Sequence, residues 1–401
     1  MRVTRVPDLF FTMVAAGGMT TLGAVPVFLL SAQSVFVRGD LNFGEAKFGV
    51  AASCFFAAAA ATAMLGGRLV DRLGRRRSTM LAGSLACAGG AGVALLAHSY
   101  VMLLLMLIVL GMANAALQVT SNLSLATSIP LHRQGLAFGV KQSAIPLAIL
   151  LGGLSVPAVG EMVGWRWTFG ITAIAGLVVV VRGFFLPNGV ARPRKDVRAL
   201  EQPPRGALLL TACGMAVASC SVNSLGAFVA SWGFHIGMSP AQAGYMMATG
   251  SWLCIVARVV TGHRADRRDG GNLAVVIKQI ALGALAFLFV SLSTVPTLWV
   301  ASMLAFAVGW SWPGLLLFAV VRVGRQAPGA ATGAVQAGAF VGGAAGPALF
   351  GLLVAHTDYP TAWRVGGGCM IVAAAMLALA RRAFLQDLVA RPLKRPTHAD
   401  H

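Results

Sequence analysis

A lysine inside an apolar run is the residue of this chain that most needs a chemical reason. Lys141 stands in Gly139-Val-Lys141-Gln142-Ser143-Ala-Ile-Pro146, with Ala, Leu and Ile dominating the sequence that follows. An ammonium in such a place either meets an anion or lets its four-carbon stem carry it back to water. Gln142 and Ser143 put neutral hydrogen-bonding groups beside it. Asn114, Gln118 and Asn122 are spaced i, i+4, i+8. On a helix they share one face that drifts by about 40° per step. In lipid such a stripe must face protein or water, so it either lines a solute path or joins helices. Asn223 and Gln336 are further cavity candidates, Gln336 standing 194 residues after Gln142. Trp310, with Trp312, Trp252 and Tyr245, can supply aromatic walls, interfacial anchors or plain packing. The twelve acidic residues, Asp8, Asp40, Glu45, Asp71, Glu161, Asp196, Glu201, Asp266, Asp269, Asp358, Asp387 and Asp400, fall in loops, tails or span ends. A buried cationic ligand needs a counter-ion, and no carboxylate is placed at mid-depth to give one. The pattern favours an anionic or neutral ligand.

Elements that hold these groups follow from composition. Of 401 residues, 57% are hydrophobic and only 11% charged, and mean hydropathy is +0.79. A soluble surface needs roughly a quarter of its residues charged. A soluble enzyme, a DNA-binding protein and a disordered chain are thereby excluded, and the net charge of +19 is read as membrane orientation, not as affinity for nucleic acid. A hydrocarbon core about 30 Å thick takes about 20 residues per helix. Apolar runs give spans near 9–36, 46–67, 78–97, 101–127, 136–159 and 166–187, then 206–236, 241–263, 272–293, 297–321, 329–356 and 362–383. The fold class is all-α, with twelve transmembrane helices. Lys141 lies five residues into the fifth span, about 7 Å along its axis. A Pro- and Arg-rich stretch at 188–205 reads as a cytoplasmic linker between an N-terminal six-helix bundle, 1–187, and a C-terminal one, 206–401, that ends in a basic tail.

Basic residues test the topology. With both termini inside, only Arg38, Lys47, Arg166 and Arg364 fall outside, Lys141 and Lys278 lie within spans, and the other 25 of 31 Lys and Arg are cytoplasmic. An integral, multi-pass plasma-membrane protein with cytoplasmic ends is expected, its first helix retained. The cysteines Cys54, Cys87, Cys213, Cys220, Cys254 and Cys369 sit in apolar stretches without C-x-x-C, as buried small hydrophobes do. No metal site or cofactor is expected.

The chain also repeats itself. Gly67-Arg-Leu-Val-Asp71-Arg72 recurs as Gly262-His-Arg-Ala-Asp266-Arg267, Arg133-Gln134 as Arg325-Gln326, and Gly164-Trp165-Arg166 as Ala362-Trp363-Arg364, at offsets of 192 to 198. Two parallel halves of this kind enclose a site near the midplane. In the first copy Asp71 is an anion among Arg72, Arg75 and Arg76 at the membrane surface, able to pair with a helix N-terminus or a neighbouring cation. Arg258 with Asp266 reads as the corresponding latch of the second half.

Gly67-Arg-Leu-Val-Asp71-Arg72-Leu-Gly74-Arg75-Arg76 resembles the G-x-x-x-D-R-x-G-R-R loop signature of the major facilitator superfamily. The resemblance extends to the span count, the central linker and the half-repeat. It implies a fold of two pseudo-symmetric bundles that rock about a central site, and a gating latch at Gly67, Asp71, Arg72, Gly74 and Arg75 with a weaker copy at Arg258, Gly262, Asp266 and Arg267. Span eleven, Gly333-x8-Gly342-x3-Gly346-Pro347-x2-Phe350-Gly351, resembles the glycine and proline pattern that exporters of the family carry on span five. Here span five has Gly139, Ala148, Gly152 and Gly153 instead, which weakens an exporter reading. These small residues equally serve close packing of span eleven on spans eight or two. K-Q-[ST]-x-x-P at Lys141 is similar to a stretch found in a bacterial subset of the family, and it names no ligand.

The expected function is secondary transport of a small organic solute, coupled to protons or another ion, by a chain that works as a monomer in the bilayer. A drug or metabolite exporter of the same family is the alternative within the class. A membrane sensor or scaffold that keeps the fold without transporting is the alternative outside it. Neither G-x-x-x-x-G-K-[ST] nor H-E-x-x-H occurs, so neither direct ATP drive nor enzymatic metal chemistry is expected.

Overall fold

A computed structural model describes residues 6–128, 141–186, 204–267, 271–323 and 328–391 of the chain, with the side chains of 6–10, 12, 64–72, 123–128, 266, 322–323 and 328–330 outside the description. All regular structure among the described residues is helical. Twelve helices are long and apolar enough to cross a membrane. The first six are Met13–Ala32, Glu45–Ala63, Leu73–Leu96, Tyr100–Asn122, Ala144–Val163 and Trp165–Phe184. The second six are Arg205–His235, Pro240–Ala265, Asn272–Val290, Val295–Val321, Ala331–His356 and Tyr359–Ala390. They are called spans one to twelve. The linker expected at 188–205 lies almost wholly outside the described residues, helix resuming at Arg205.

Twelve crossings put both termini on one face, called here the terminal face, and the loops after the odd-numbered spans on the other. Helices are the natural answer to a solvent that offers no hydrogen bonds, because each satisfies its own backbone. The departures from regularity have identifiable causes. Span one stops at Ala32 and a short helix, Ser34–Leu41, follows where one long first span was expected. Gly74, with φ 73° and ψ 172°, kinks the helical run Glu45–Leu96 between spans two and three, a conformation open to glycine alone. Span five contains a π-turn at Val156–Gly160 around Pro157, which cannot donate its backbone bond. Span ten has another at Ala305–Gly309. Four residues beyond Gly309 stands Pro313, so the Gly309 carbonyl accepts instead from the indole Nε1 of Trp312 at 2.6 Å.

Within the first half, span one packs on spans four and five, and span three on span six. In the second half, span seven packs on spans eleven and twelve, and span nine on span twelve. The glycines of span eleven seat it against span seven of its own half and span two of the other, with Gly342 on Ala216, Gly346 on Cys220 and Gly343 on Phe56. Span eight is not their neighbour. The halves meet where span two faces span eleven and span five faces span eight.

Contacts across the seam gather toward the non-terminal face. Ser231 Oγ bonds Ser34 Oγ at 2.8 Å, the Ala348 N–H donates to Ser53 Oγ at 2.8 Å, and the Phe48 and Phe228 rings meet edge to face at 5.2 Å. Gly153 and Gly244 bring the backbones of spans five and eight together so closely that a Cβ at Gly244 would stand 2.5 Å from the Gly153 carbonyl oxygen. Overfilling such a contact costs about 1–3 kcal/mol, which the halves can avoid by separating. Gly244→Val is therefore expected to open this face. A cysteine at buried Ser34 should react with a membrane-impermeant maleimide several-fold faster in that background. An unchanged rate would show that the glycine pair does not hold the seam.

Candidate functional site

Span four carries the polar stripe to the first half's interior. Asn114 is only 3% exposed and its side chain lies against Gly23 of span one. Gln118 Nε2 donates to Asn114 Oδ1 at 3.1 Å. Ser121, one turn on, shares a hydrogen bond with Thr20 of span one at 3.2 Å. Asn122, the last of the stripe, is exposed and its Oδ1 accepts from Lys141 Nζ. The Lys141 side chain is 5% exposed, so its ammonium is held inside the protein and does not follow its stem to the surface. Along the stripe, Asn114 packs between helices, while Asn122 reaches the buried charge.

The carbonyl next to that lysine is unusual for a chemical reason. Gln142 is four residues before Pro146, and a proline has no N–H with which to close the i to i+4 bond. The freed Gln142 carbonyl accepts from Arg258 of span eight across the seam. Arg258 also donates through Nη2 to the Trp310 carbonyl at 2.9 Å, at the break where the π-turn of span ten gives way to the next helical segment. Arg258 is 8% exposed. One guanidinium thus ties span five of the first half to spans eight and ten of the second, using backbone oxygens that broken helix geometry leaves available.

This placement corrects the expectation for Arg258. Eight helical residues, about 12 Å, separate it from Asp266, and its guanidinium is directed at the carbonyls of Gln142 and Trp310. The Asp266 side chain is outside the described residues, as are those of Gly67, Asp71 and Arg72. Of the remaining latch positions, Gly74 supplies the kink, Arg75 is half-buried, and Gly262 and Arg267 are exposed.

Trp310 is buried between the halves, stacked on Phe306 at 5.8 Å and edge-on to Phe28 of span one at 6.0 Å. Trp312 is buried too, whereas Trp252 and Tyr245 are exposed. Gln142 lies beside Gly314 of span ten. Asn223 donates to the Ser219 carbonyl of its own helix at 2.8 Å, and Gln336 is half-buried on span eleven. Gln142, Arg258 and Trp310 are therefore brought together at the seam, and Lys141, next to Gln142 in the chain, is bonded to Asn122 within the first half.

Five acidic side chains are described, and none is near these cations. Glu45 pairs with Arg38 at 2.5 Å, Asp40 with Arg166 at 2.7 Å and Asp387 with Arg391. Glu161 is exposed, and Asp358 caps span twelve through the Thr361 N–H. That backbone bond holds the Asp358 carboxyl below its ordinary pKa. Among the described residues, Lys141 and Arg258 meet neutral partners only. An anion entering there would gain charge-assisted bonds in a low dielectric.

From the sequence Arg258 is paired with Asp266, whereas its guanidinium is directed at the carbonyls of Gln142 and Trp310. Two signals were available: a guanidinium preceded by seven apolar or small residues and followed by four, and a proline four residues after Gln142.

A family model of the Major Facilitator Superfamily matches residues 9–347 and again 211–399. A putative metabolite transport protein of Bacillus subtilis is 30% identical over 160 residues, which is 40% of this chain and 35% of that protein. An uncharacterized MFS-type transporter of Mycobacterium tuberculosis is 28% identical over 75% of this chain and 69% of its own length. A chloramphenicol resistance protein of Streptomyces lividans is 28% identical over 87% and 90%. In fold, the chain is similar to a bacterial homolog of the human lysosomal transporter Spinster in an inward-facing and occupied conformation, with a TM-score of 0.72, 15% identity, and coverage of 96% of this chain and 99% of that one.

The unequal burial of the stripe makes an expectation. In a background without native cysteines, Asn122→Cys should react readily with a water-soluble thiol reagent, and Asn114→Cys should stay inert until the protein is denatured. Equal reactivity at both positions would contradict the division of roles.

Proposed function

Because this chain belongs to the Major Facilitator Superfamily, we propose that it carries a small organic anion across the membrane by rocking its two six-helix halves about the seam that Lys141 and Arg258 share. The observation that supports the reading is the charge at that seam: two buried cations, one from each half, with neutral partners only among the described residues. A buried charge without a counter-ion is costly, and a carried anion relieves it. Alternating access adds a second demand. Arg258 can hold the Gln142 carbonyl only while spans five and eight are close, so the bond must break each cycle, and an anion is a ready substitute acceptor.

The cytoplasm is assigned to the terminal face from the basic loops, the bilayer to the plasma membrane, and the working unit to a monomer. Coupling to protons or another ion fits the class, with the direction of transport left to experiment. Export is a second reading, favoured by the glycine and proline pattern of span eleven and by similarity to the Streptomyces resistance protein. A sensor on the same fold would bind solute without moving it.

Flux into proteoliposomes under an imposed pH step, across monocarboxylates, neutral metabolites and hydrophobic drugs, separates these readings. Lys141→Gln is expected to weaken an anionic substrate by the 1.5–3 kcal/mol typical of a hydrogen bond to a charged group, about 10- to 100-fold in affinity. A neutral substrate should change little. Efficient transport of a quaternary ammonium by the unaltered protein would contradict the electrostatic premise.

A further inference from the structure

A second basic cluster lies away from the seam, on the outer surface of the second half. Lys278 of span nine and Arg381 and Arg382 of span twelve line one groove together with Ala274, Ile277 and Ala378. Span nine begins at Asn272, so Lys278 is about 9 Å along its axis, below the membrane surface on the terminal side. Positive loops orient a membrane protein whether or not they form a site, but this lysine is in a span and the three cations converge on a cleft. No carboxylate or other hydrogen-bond acceptor meets any of the three among the described residues; Asp387, the nearest described acid along span twelve, pairs with Arg391.

What continues from the groove decides the ligand. Deeper along span nine, Leu282, Leu285 and Phe289 are exposed, and deeper along span twelve, Val372 and Leu379 are exposed. Leu282 is one turn below Lys278, and Leu379 one turn below Arg382. Spans nine and twelve are packed together along this length, with Gly283 against Met370 and Gly367 against Leu288. An apolar track thus leads from mid-depth to three cations at the level of a headgroup. Free inorganic phosphate would satisfy the cations but leave the track unexplained, whereas a lipid with a phosphate head and acyl tails fits both.

We propose that the groove between spans nine and twelve binds an anionic phospholipid, with Lys278, Arg381 and Arg382 on its phosphate and the exposed apolar residues of both spans along its chains. Such a lipid would sit on the outside of the half that moves against span five, at a distance from the transported solute, and its binding does not depend on what that solute is.

The test uses the purified full-length protein and native mass spectrometry, counting phosphatidylglycerol retained against phosphatidylcholine. Replacing all three cations with Gln should lower retention of phosphatidylglycerol at least about tenfold, since each contributes on the order of 1 kcal/mol toward an anionic lipid. A control that replaces the exposed Arg77, Arg205 and Arg264 with Gln changes the net charge equally and should retain the lipid. Ala378→Trp, which fills the groove and keeps its charges, should lose it as well, and covers the case in which the triple variant fails to fold. Equal loss in the control would overturn the site in favour of diffuse surface charge, as would undiminished retention in Ala378→Trp. Displacement of the lipid by millimolar inorganic phosphate would overturn the choice of a lipid over a free anion.

Discussion

Hydrocarbon offers no hydrogen bond to a charge, so a cation buried in this chain must find acceptors within the protein. Lys141 finds the Asn122 amide and Arg258 finds two backbone carbonyls. Regular helices have no carbonyls to spare. Pro146 and the break at Trp310 create them, one in each half, and the guanidinium that uses both stitches the halves together. Irregular backbone is tolerated at this depth where protein surrounds it, and Arg258 supplies the hydrogen bonds that the break removes.

That constraint sets what can move. Spans within each half pack mainly through glycine, alanine and apolar contacts, whereas the seam is joined through one hydroxyl pair, one backbone-to-hydroxyl bond, aromatic edges, close glycines and the Arg258 bridge. A rigid half and a breakable seam are what rocking requires. Arg258 then has a natural role, because a charge whose cross-seam acceptor is pulled away needs another, and an anion arriving from water is one.

Much of this was legible from residue order. Twelve spans, the halves and the position of the five described acids near span ends follow from composition and punctuation, since a bilayer enforces length and polarity so strictly. The i, i+4, i+8 stripe located Asn114, Gln118 and Asn122 on one face, though only packing against Gly23 shows that Asn114 is sealed and Asn122 is not. Arg258 was misassigned because a sequence pairs a cation with the nearest anion, here Asp266, and carries no sign of carbonyls as acceptors unless each proline is read for the oxygen it leaves free four residues earlier. The π-turns escaped notice for a related reason: Pro157 signals an irregularity without saying which kind. The start of the short helix after Ala32 was absorbed into the first span because Val35 and Phe36 extend its apolar run, and Arg38 and Asp40 end it.

The central claim is that solute passes only when the halves part on each face in turn. Ser34 and Ser231 face each other across the seam with their hydroxyl oxygens 2.8 Å apart, so cysteines at both positions are within reach of a disulfide. In a protein otherwise free of cysteine, oxidation of the Ser34→Cys, Ser231→Cys pair should abolish solute flux in proteoliposomes, and a reductant should restore it. Flux that continues at the unlinked rate with the disulfide fully formed would contradict the account.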